Sequence, residues 1–349
     1  MPRFSVFAAG AALLVSTIAC QSTSDVATDA PAGESTTEIP MPGEGITVRT
    51  GHGDWLQEVF LVDIVNIGLE ELGYNVAEPV QAAYSALHLS VANGELDYNP
   101  SFYDPSALGM FENSGGAEKL TLLGELVPAQ AGYLIDKATA EEYQITTVEQ
   151  LQDPELAQLF DTDGDGKANL AGCPTGTGCN ERVHHHIDVY GLQDTVEQDE
   201  ASTTVMSADV VTRYGQGKPV LFYGYNPHWI FAILKLDEDA IWLEVPFTDL
   251  PGDQAGATEE ETTFNGKNLG IPPVSQRIIA NPEFLAENPS AQRWFELVNV
   301  PPEALNEESL LIYEGENTPD DIRRHAEEWV EANREQVDMW LDEAQQAAN

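Results

Sequence analysis

The segment Ile46-Thr47-Val48-Arg49-Thr50-Gly51-His52-Gly53-Asp54-Trp55-Leu56-Gln57, with its continuation to Gly94, carries the architecture of the chain. Residues 46–50 read as a short strand. Gly51-His52-Gly53 then turns the chain into a helix, with Asp54 at the N-cap and Gln57 at the capping-box position. Val59, Phe60, Ile64, Ile67 and Leu72 recur at helical spacing, and Gly73 stands where a helix ends. A second strand is predicted over 74–80 and a second helix over 82–93, stopped by Gly94. Strand, helix, strand, helix is the pattern of an α/β unit with parallel strands.

Outward from this unit the alternation continues. Strands are predicted at 132–135, 220–223, 240–245 and 278–280, and helical segments at 148–160. Helices follow at 291–297 and 319–347. The last is long and acidic, with Ile322, Trp329, Val330, Val337, Trp340 and Leu341 on its packing side. No short internal repeat is present. A chain of 349 residues suffices for two α/β lobes, with ligand-binding loops at strand ends.

The charge balance narrows the function. Against 59 Asp and Glu stand 15 Lys and Arg, a formal charge of −44. Binding nucleic acid or anionic lipid needs clustered cations, which this chain lacks. A hydrophobic content of 42% is that of a folded protein, so the acidity belongs on the surface. Such a surface suits a salt-adapted protein, or simply an acidic exported one.

The N-terminus points to export. A positive start at residues 1–3 precedes an apolar run at 4–18, too short to span a membrane but suited to a signal peptide. Ala19-Cys20 looks like a lipoprotein cleavage site, making residues 1–20 a signal peptide and Cys20 the lipidated residue, the only contact with the membrane; ordinary cleavage nearby, leaving Cys20 free, is the alternative. Residues 21–44 are dense in Ser, Thr, Asp, Pro and Gly and read as a flexible tether. In the oxidising compartment beyond, Cys173 and Cys179 are expected to close a small disulfide loop. Zinc is the competing reading, because His184, His185 and His186 follow. Consecutive histidines on a helix point in different directions, however, whereas a metal pair wants i, i+4 spacing.

Further along, Gly132-Tyr133-Leu134-Ile135-Asp136-Lys137, Asp153-Pro154 and the run from Leu159-Phe160-Asp161 to Gly166-Lys167-Ala168 form an ordered set. Gly172-Cys173, Gly178-Cys179, Gly217-Lys218-Pro219-Val220, Trp242-Leu243, Val245-Pro246-Phe247 and Leu250-Pro251-Gly252-Asp253 extend it. In order and spacing these motifs resemble the glycine betaine/proline-binding protein of ABC uptake systems, the ProX type, over the whole mature body. The resemblance implies a two-lobed periplasmic-binding-protein fold (type II) with two crossover strands, near 131–133 and 273–279. Lobe I would then comprise 45–133 and 273–349, and lobe II 134–272. It also implies a non-enzymatic partner of an ABC permease and its ATPase, capturing a small zwitterion of the betaine class.

A betaine carries a quaternary ammonium that donates no hydrogen bond and a carboxylate that only accepts. Aromatic faces suit the first and directed N–H groups the second. The family's three cage tryptophans fall here on Tyr103, Thr177 and Tyr225, so two aromatic faces remain. Its carboxylate-contacting histidine falls on Ala107, leaving the backbone N–H groups of Gly178 and Cys179 for the anion. Trp55, at the first strand-to-helix turn, is the candidate for the missing wall. Phe102, Tyr223 and Trp229 are expected in the core, and Asp104 in solvent.

Asp161, Asp163 and Asp165, with Gly166 and Asn169, match the start of an EF-hand loop, although Gly172 stands where its bidentate Glu would be. No cofactor is expected beyond a structural Ca2+ there; an ion-free turn is the alternative. No nucleophile motif, phosphate loop or His-Glu-x-x-His occurs. The alternatives are the same fold binding choline, carnitine, proline or another osmolyte, a sensory receptor, and a calcium-dependent secreted hydrolase.

Overall fold

A computed structural model describes residues 41–348, Asp54 excepted. The expected signal peptide, Cys20, most of the tether and the Asp54 cap lie outside the described residues. Residues 41–44, assigned to the tether, belong to the body instead. Gly43 N donates to Leu72 O at 2.9 Å and Glu44 N to Met41 O at 3.0 Å.

One strand, Thr121–Asp136, runs through both lobes. Its first part pairs antiparallel with Val274–Ala280, which pairs antiparallel with Tyr98–Asp104. From Gln130 to Ile135 its partner is Leu221–Asn226 instead, and Tyr133–Asp136 also pairs with Ala240–Leu243. Beyond lie Ala168–Ala171 and Val196–Asp199, parallel to each other. The sheet is therefore mixed, and it changes lobes between Ala129 and Gln130. The return connection precedes the expected 273–279, because Val274–Ala280 pairs along its length with first-lobe strands. The chain crosses through Ile271-Pro272-Pro273, and the two prolines have no N–H to give to a ladder.

The first α/β unit forms with a changed register. The strand predicted at 46–50 is confined to Thr47–Val48, parallel to Asn75–Val76, and Gly51–His52 is a second short strand against Val80–Gln81 rather than a turn. The reason lies between them. Arg49 N donates to Asp97 Oδ2 at 2.7 Å, and Thr50 Oγ1 donates to Tyr98 O at 3.0 Å, so side-chain bonds interrupt the ladder here while Arg49 O still accepts from Asp97 N at 2.8 Å. The helix follows at Leu56–Glu71 and ends before Gly73, whose φ of +91° is the left-handed conformation that favours glycine. Its buried face, including Phe60, Leu61, Ile64 and Val65, packs with Trp294, Phe295, Ile322 and Val330 in the first-lobe core. Gly68 admits the Trp294 ring, for a Cβ there would lie 2.1 Å from it.

The long terminal helix is two helices, Pro319–Ala332 and Arg334–Gln346. Asn333 breaks it: its Nδ2 donates to Trp329 O at 2.8 Å, and its own backbone leaves helical geometry. The bend lets Ile322 and Val330 enter the core from one piece and Val337 and Leu341 from the other. The helical segments predicted within 148–160 are Val148–Gln152, Pro154–Ala157 and Gln158–Phe160.

Candidate functional site

Two strands, one from each lobe, bring a tyrosine to the same cavity. Tyr103 and Tyr225 are each the penultimate residue of their strand, Tyr98–Asp104 and Leu221–Asn226. Both line a cavity of about 370 Å³, with Trp55, Glu58, Arg182 and His228. Trp55 is 52% exposed and forms part of the rim.

The first-lobe wall centres on Glu58, which is only 2% exposed. Its Oε2 accepts from Gly53 N at 2.7 Å. Its Oε1 accepts from the hydroxyls of Tyr84, at 2.7 Å, and Tyr103, at 2.5 Å. The expected capping-box residue, Gln57, donates instead to Ser309 Oγ at 3.2 Å. Glu58 folds back to the chain entering the helix, and in doing so holds Tyr103 in place. The Tyr84 and Tyr103 rings meet edge to face at 5.9 Å. Burial, reinforced by the Glu58 carboxylate, raises the Tyr103 phenol well above its ordinary range, so the ring stays neutral with its hydroxyl directed at Glu58. A neutral electron-rich face beside a buried carboxylate is suited to an alkylammonium group.

The second-lobe wall differs. Arg182 donates through Nη1 to the Tyr223 hydroxyl at 3.0 Å and through Nη2 to Gln254 Oε1 at 3.1 Å. Its buried Nε has no partner among the described residues. His228 lies beside Tyr225, ring centroids 4.9 Å apart, and burial pushes its imidazole down to about 4, leaving it neutral near pH 7. Its backbone N–H donates to Asn306 Oδ1 at 2.7 Å, tying this wall to a first-lobe helix.

The remaining expected site residues lie apart from this cavity. Thr177 caps the helix Gly178–Val189, its Oγ1 accepting from Asn180 N at 3.2 Å and donating to Pro174 O at 2.8 Å. Thr177 and Gly178 are exposed, and neither they nor Cys179 line the cavity, whereas Arg182, one turn further on, does. Cys173 and Cys179 are joined, their Cα atoms 5.9 Å apart. Phe102 is fully buried, and Trp229 stacks on Tyr313 at 4.4 Å. Asp104 does not simply face solvent. It pairs with Arg277 Nη1 at 3.1 Å, because the neighbouring strand places that arginine opposite Phe102.

Elsewhere, Asp161, Asp163 and Asp165 bring carboxylate oxygens within 4.8 Å of one another. Much of their capacity is spent on local backbone, Gly164 N and Gly166 N both donating to Asp161. Asn169 Oδ1 accepts from both the N–H and the hydroxyl of Thr162. The three histidines separate: His184 meets Glu200, His185 meets Asp249, and the buried His186 bonds the Tyr133 hydroxyl at 2.8 Å.

Glu58, Arg182 and His228 escaped the sequence reading. Glu58 had a local signal, the acid in the first turn of the helix. Arg182 and His228 had none, since only the fold brings their segments to one cavity.

Residues 46–332 match the family described as the substrate binding domain of ABC-type glycine betaine transport systems. The glycine betaine-binding periplasmic protein OusX of Dickeya dadantii is 40% identical over 309 residues, 88% of this chain and 92% of that protein. The glycine betaine/proline betaine-binding periplasmic protein of Escherichia coli K12 is 38% identical over 305 residues, 87% and 92% of the two chains. Among solved structures, lactococcal OpuAC, closed on glycine betaine, superposes with a TM-score of 0.53 at 19% identity, covering 85% of this chain and 99% of that one. ProX from Borrelia burgdorferi gives 0.52 at 18% identity, covering 87% and 100%. The fold is thus the type II periplasmic-binding-protein fold, and the chain belongs to the family of substrate-binding domains of ABC-type glycine betaine transport systems.

Proposed function

We propose that this protein captures glycine betaine, or a closely related quaternary-ammonium zwitterion, between its lobes and delivers it to an ABC permease driven by a separate ATPase. The observation that carries this reading is the pair of strand-end tyrosines, Tyr103 and Tyr225, facing one cavity from opposite lobes beside the buried Glu58. Relatives named for glycine betaine and proline betaine support the ligand class. Binding shifts an open–closed equilibrium toward the state the permease recognises, because only the closed form lets both walls touch the ligand.

The site of action is the periplasm or the outer face of the cytoplasmic membrane, after export by the signal peptide and anchoring by a lipid on Cys20. Relatives named as periplasmic support the compartment. Among the described residues no helix is long and apolar enough to cross a membrane. The Cys173–Cys179 bridge is consistent with an oxidising environment.

Isothermal titration of the purified mature protein with glycine betaine, choline, carnitine, proline and ectoine tests the reading. Saturable one-to-one binding of glycine betaine is expected. Heat from none of the five, with the protein folded, rejects the onium assignment.

A further inference from the structure

We infer that Arg182 binds the ligand's carboxylate and makes this cavity select a zwitterion over a simple cation. The inference rests on the onium reading above and adds the residue that reads the anionic end.

Among the described residues, Arg49, Arg277, Arg293, Arg323, Arg324 and Arg334 form ion pairs, in a chain where acids outnumber bases 59 to 15, while Arg213 forms none and donates to Pro219 O at 3.2 Å away from the cavity lining. Arg182 has no carboxylate partner among them, although it lines the cavity between the lobes. Its two hydrogen bonds go to neutral groups, the Tyr223 hydroxyl and Gln254 Oε1. Its Nε is buried and has no hydrogen-bond partner among the described residues. A guanidinium donates in a planar fork, and carboxylate oxygens meet that fork two at a time. An unpaired donor on a charged group removed from water is costly unless something supplies the acceptor. In a site that closes on a zwitterion, the ligand carboxylate is such an acceptor.

The chain's other features make the assignment more pointed. The position expected to supply a histidine to the anion is Ala107, 2% exposed and without a polar side chain. The Gly178 and Cys179 amides, expected to cradle the anion, begin the helix that carries Arg182 but do not line the cavity. On the opposite lobe the buried Glu58 with Tyr103 forms the cation-receiving end. Acid on one wall and base on the other match a ligand that carries both charges. Choline offers no anion, so its binding leaves Arg182 unpaired within the closed site.

The test measures glycine betaine and choline affinities by titration calorimetry on wild type, Arg182→Met and Arg182→Lys. Wild type should hold glycine betaine at least about tenfold more tightly than choline. Arg182→Met should weaken glycine betaine by about 10- to 100-fold, the range of a lost charge-assisted hydrogen bond or pair, while choline affinity holds or rises. Arg182→Lys, which keeps the charge but not the fork, should fall between the two. Undiminished glycine betaine binding by Arg182→Met overturns the inference, and so does a parallel loss of both ligands, which marks Arg182 as merely structural. Wild-type protein that binds neither ligand instead defeats the onium reading itself.

Discussion

The two walls of the cavity are made by opposite devices. On the first lobe, Glu58 is buried and its three hydrogen bonds come from within that lobe, from Gly53, Tyr84 and Tyr103. On the second, Arg182 has a buried donor without an acceptor among the described residues, and His228 is held by a first-lobe side chain, Asn306. One wall is complete before any ligand arrives; the other is finished by what binds. A preorganised wall loses little on association, whereas an unfinished one makes closure conditional on the right ligand.

The largest effect should come from breaking the finished wall at its centre. Glu58→Ala strands the donors gathered on that carboxylate, at about 1–3 kcal/mol for each buried group left unpaired, so stability should fall by about 3 kcal/mol or more. Glycine betaine binding should drop more than about 100-fold, because the Tyr103 ring loses its orientation and the site loses its carboxylate. Calorimetric unfolding and titration read both. A protein as stable and as avid as wild type contradicts the role given to Glu58.

Next in size are the two cavity-lining tyrosines. Tyr103→Ala and Tyr225→Ala should each weaken a trimethylammonium ligand by about 1–2 kcal/mol, near tenfold, far more than a change of salt does. Tyr103→Phe sharpens the contrast between the walls, since it keeps the face but frees Glu58 of one donor. Normal binding by both alanine variants would mean the cavity is not the site.

The second wall is open to a pH measurement. The ordinary pKa of a histidine is near 6.5, and burial holds that of His228 at about 4. Between those values the unfolded chain takes up a proton that the folded chain refuses, so acidification from pH 6.5 toward 4 removes stability. His228→Asn should flatten this dependence by about 2–3 kcal/mol over that window. Superimposable melting curves for the two proteins from pH 7 to 4 would show that His228 is not kept neutral. The smallest effect should be that of Trp55→Ala at the exposed rim, about threefold or less on binding. A larger loss would mean that closure folds Trp55 over the ligand.

Much of this molecule can be read from local pattern. The helical spacing of Phe60, Ile64 and Ile67 with Gly73 behind it is a local signal, and that helix forms where it is predicted. The strand Tyr98–Asp104 is not among the predicted elements, and Leu221–Asn226 runs past the predicted 220–223 to include Tyr225. Misreadings occur where a distant side chain intervenes. Asp97 takes Arg49 N out of the expected strand, and Arg277 pairs with the Asp104 carboxylate expected to face solvent alone. The break at Asn333 is the exception, a local hydrogen bond hidden by the continuous amphipathic pattern around it.

By itself, then, the amino-acid order settles the α/β alternation and the family, because period, turn residues and motif spacing act over short stretches of chain. Which charged side chains face one another is a different matter. Glu58 lies in the first helix and Arg182 more than a hundred residues later, and no local pattern relates them. The strand Thr121–Asp136, shared by both lobes, and the return through Ile271-Pro272-Pro273 set their two walls around one cavity. Burial there removes the competing water that would otherwise leave both charges without consequence.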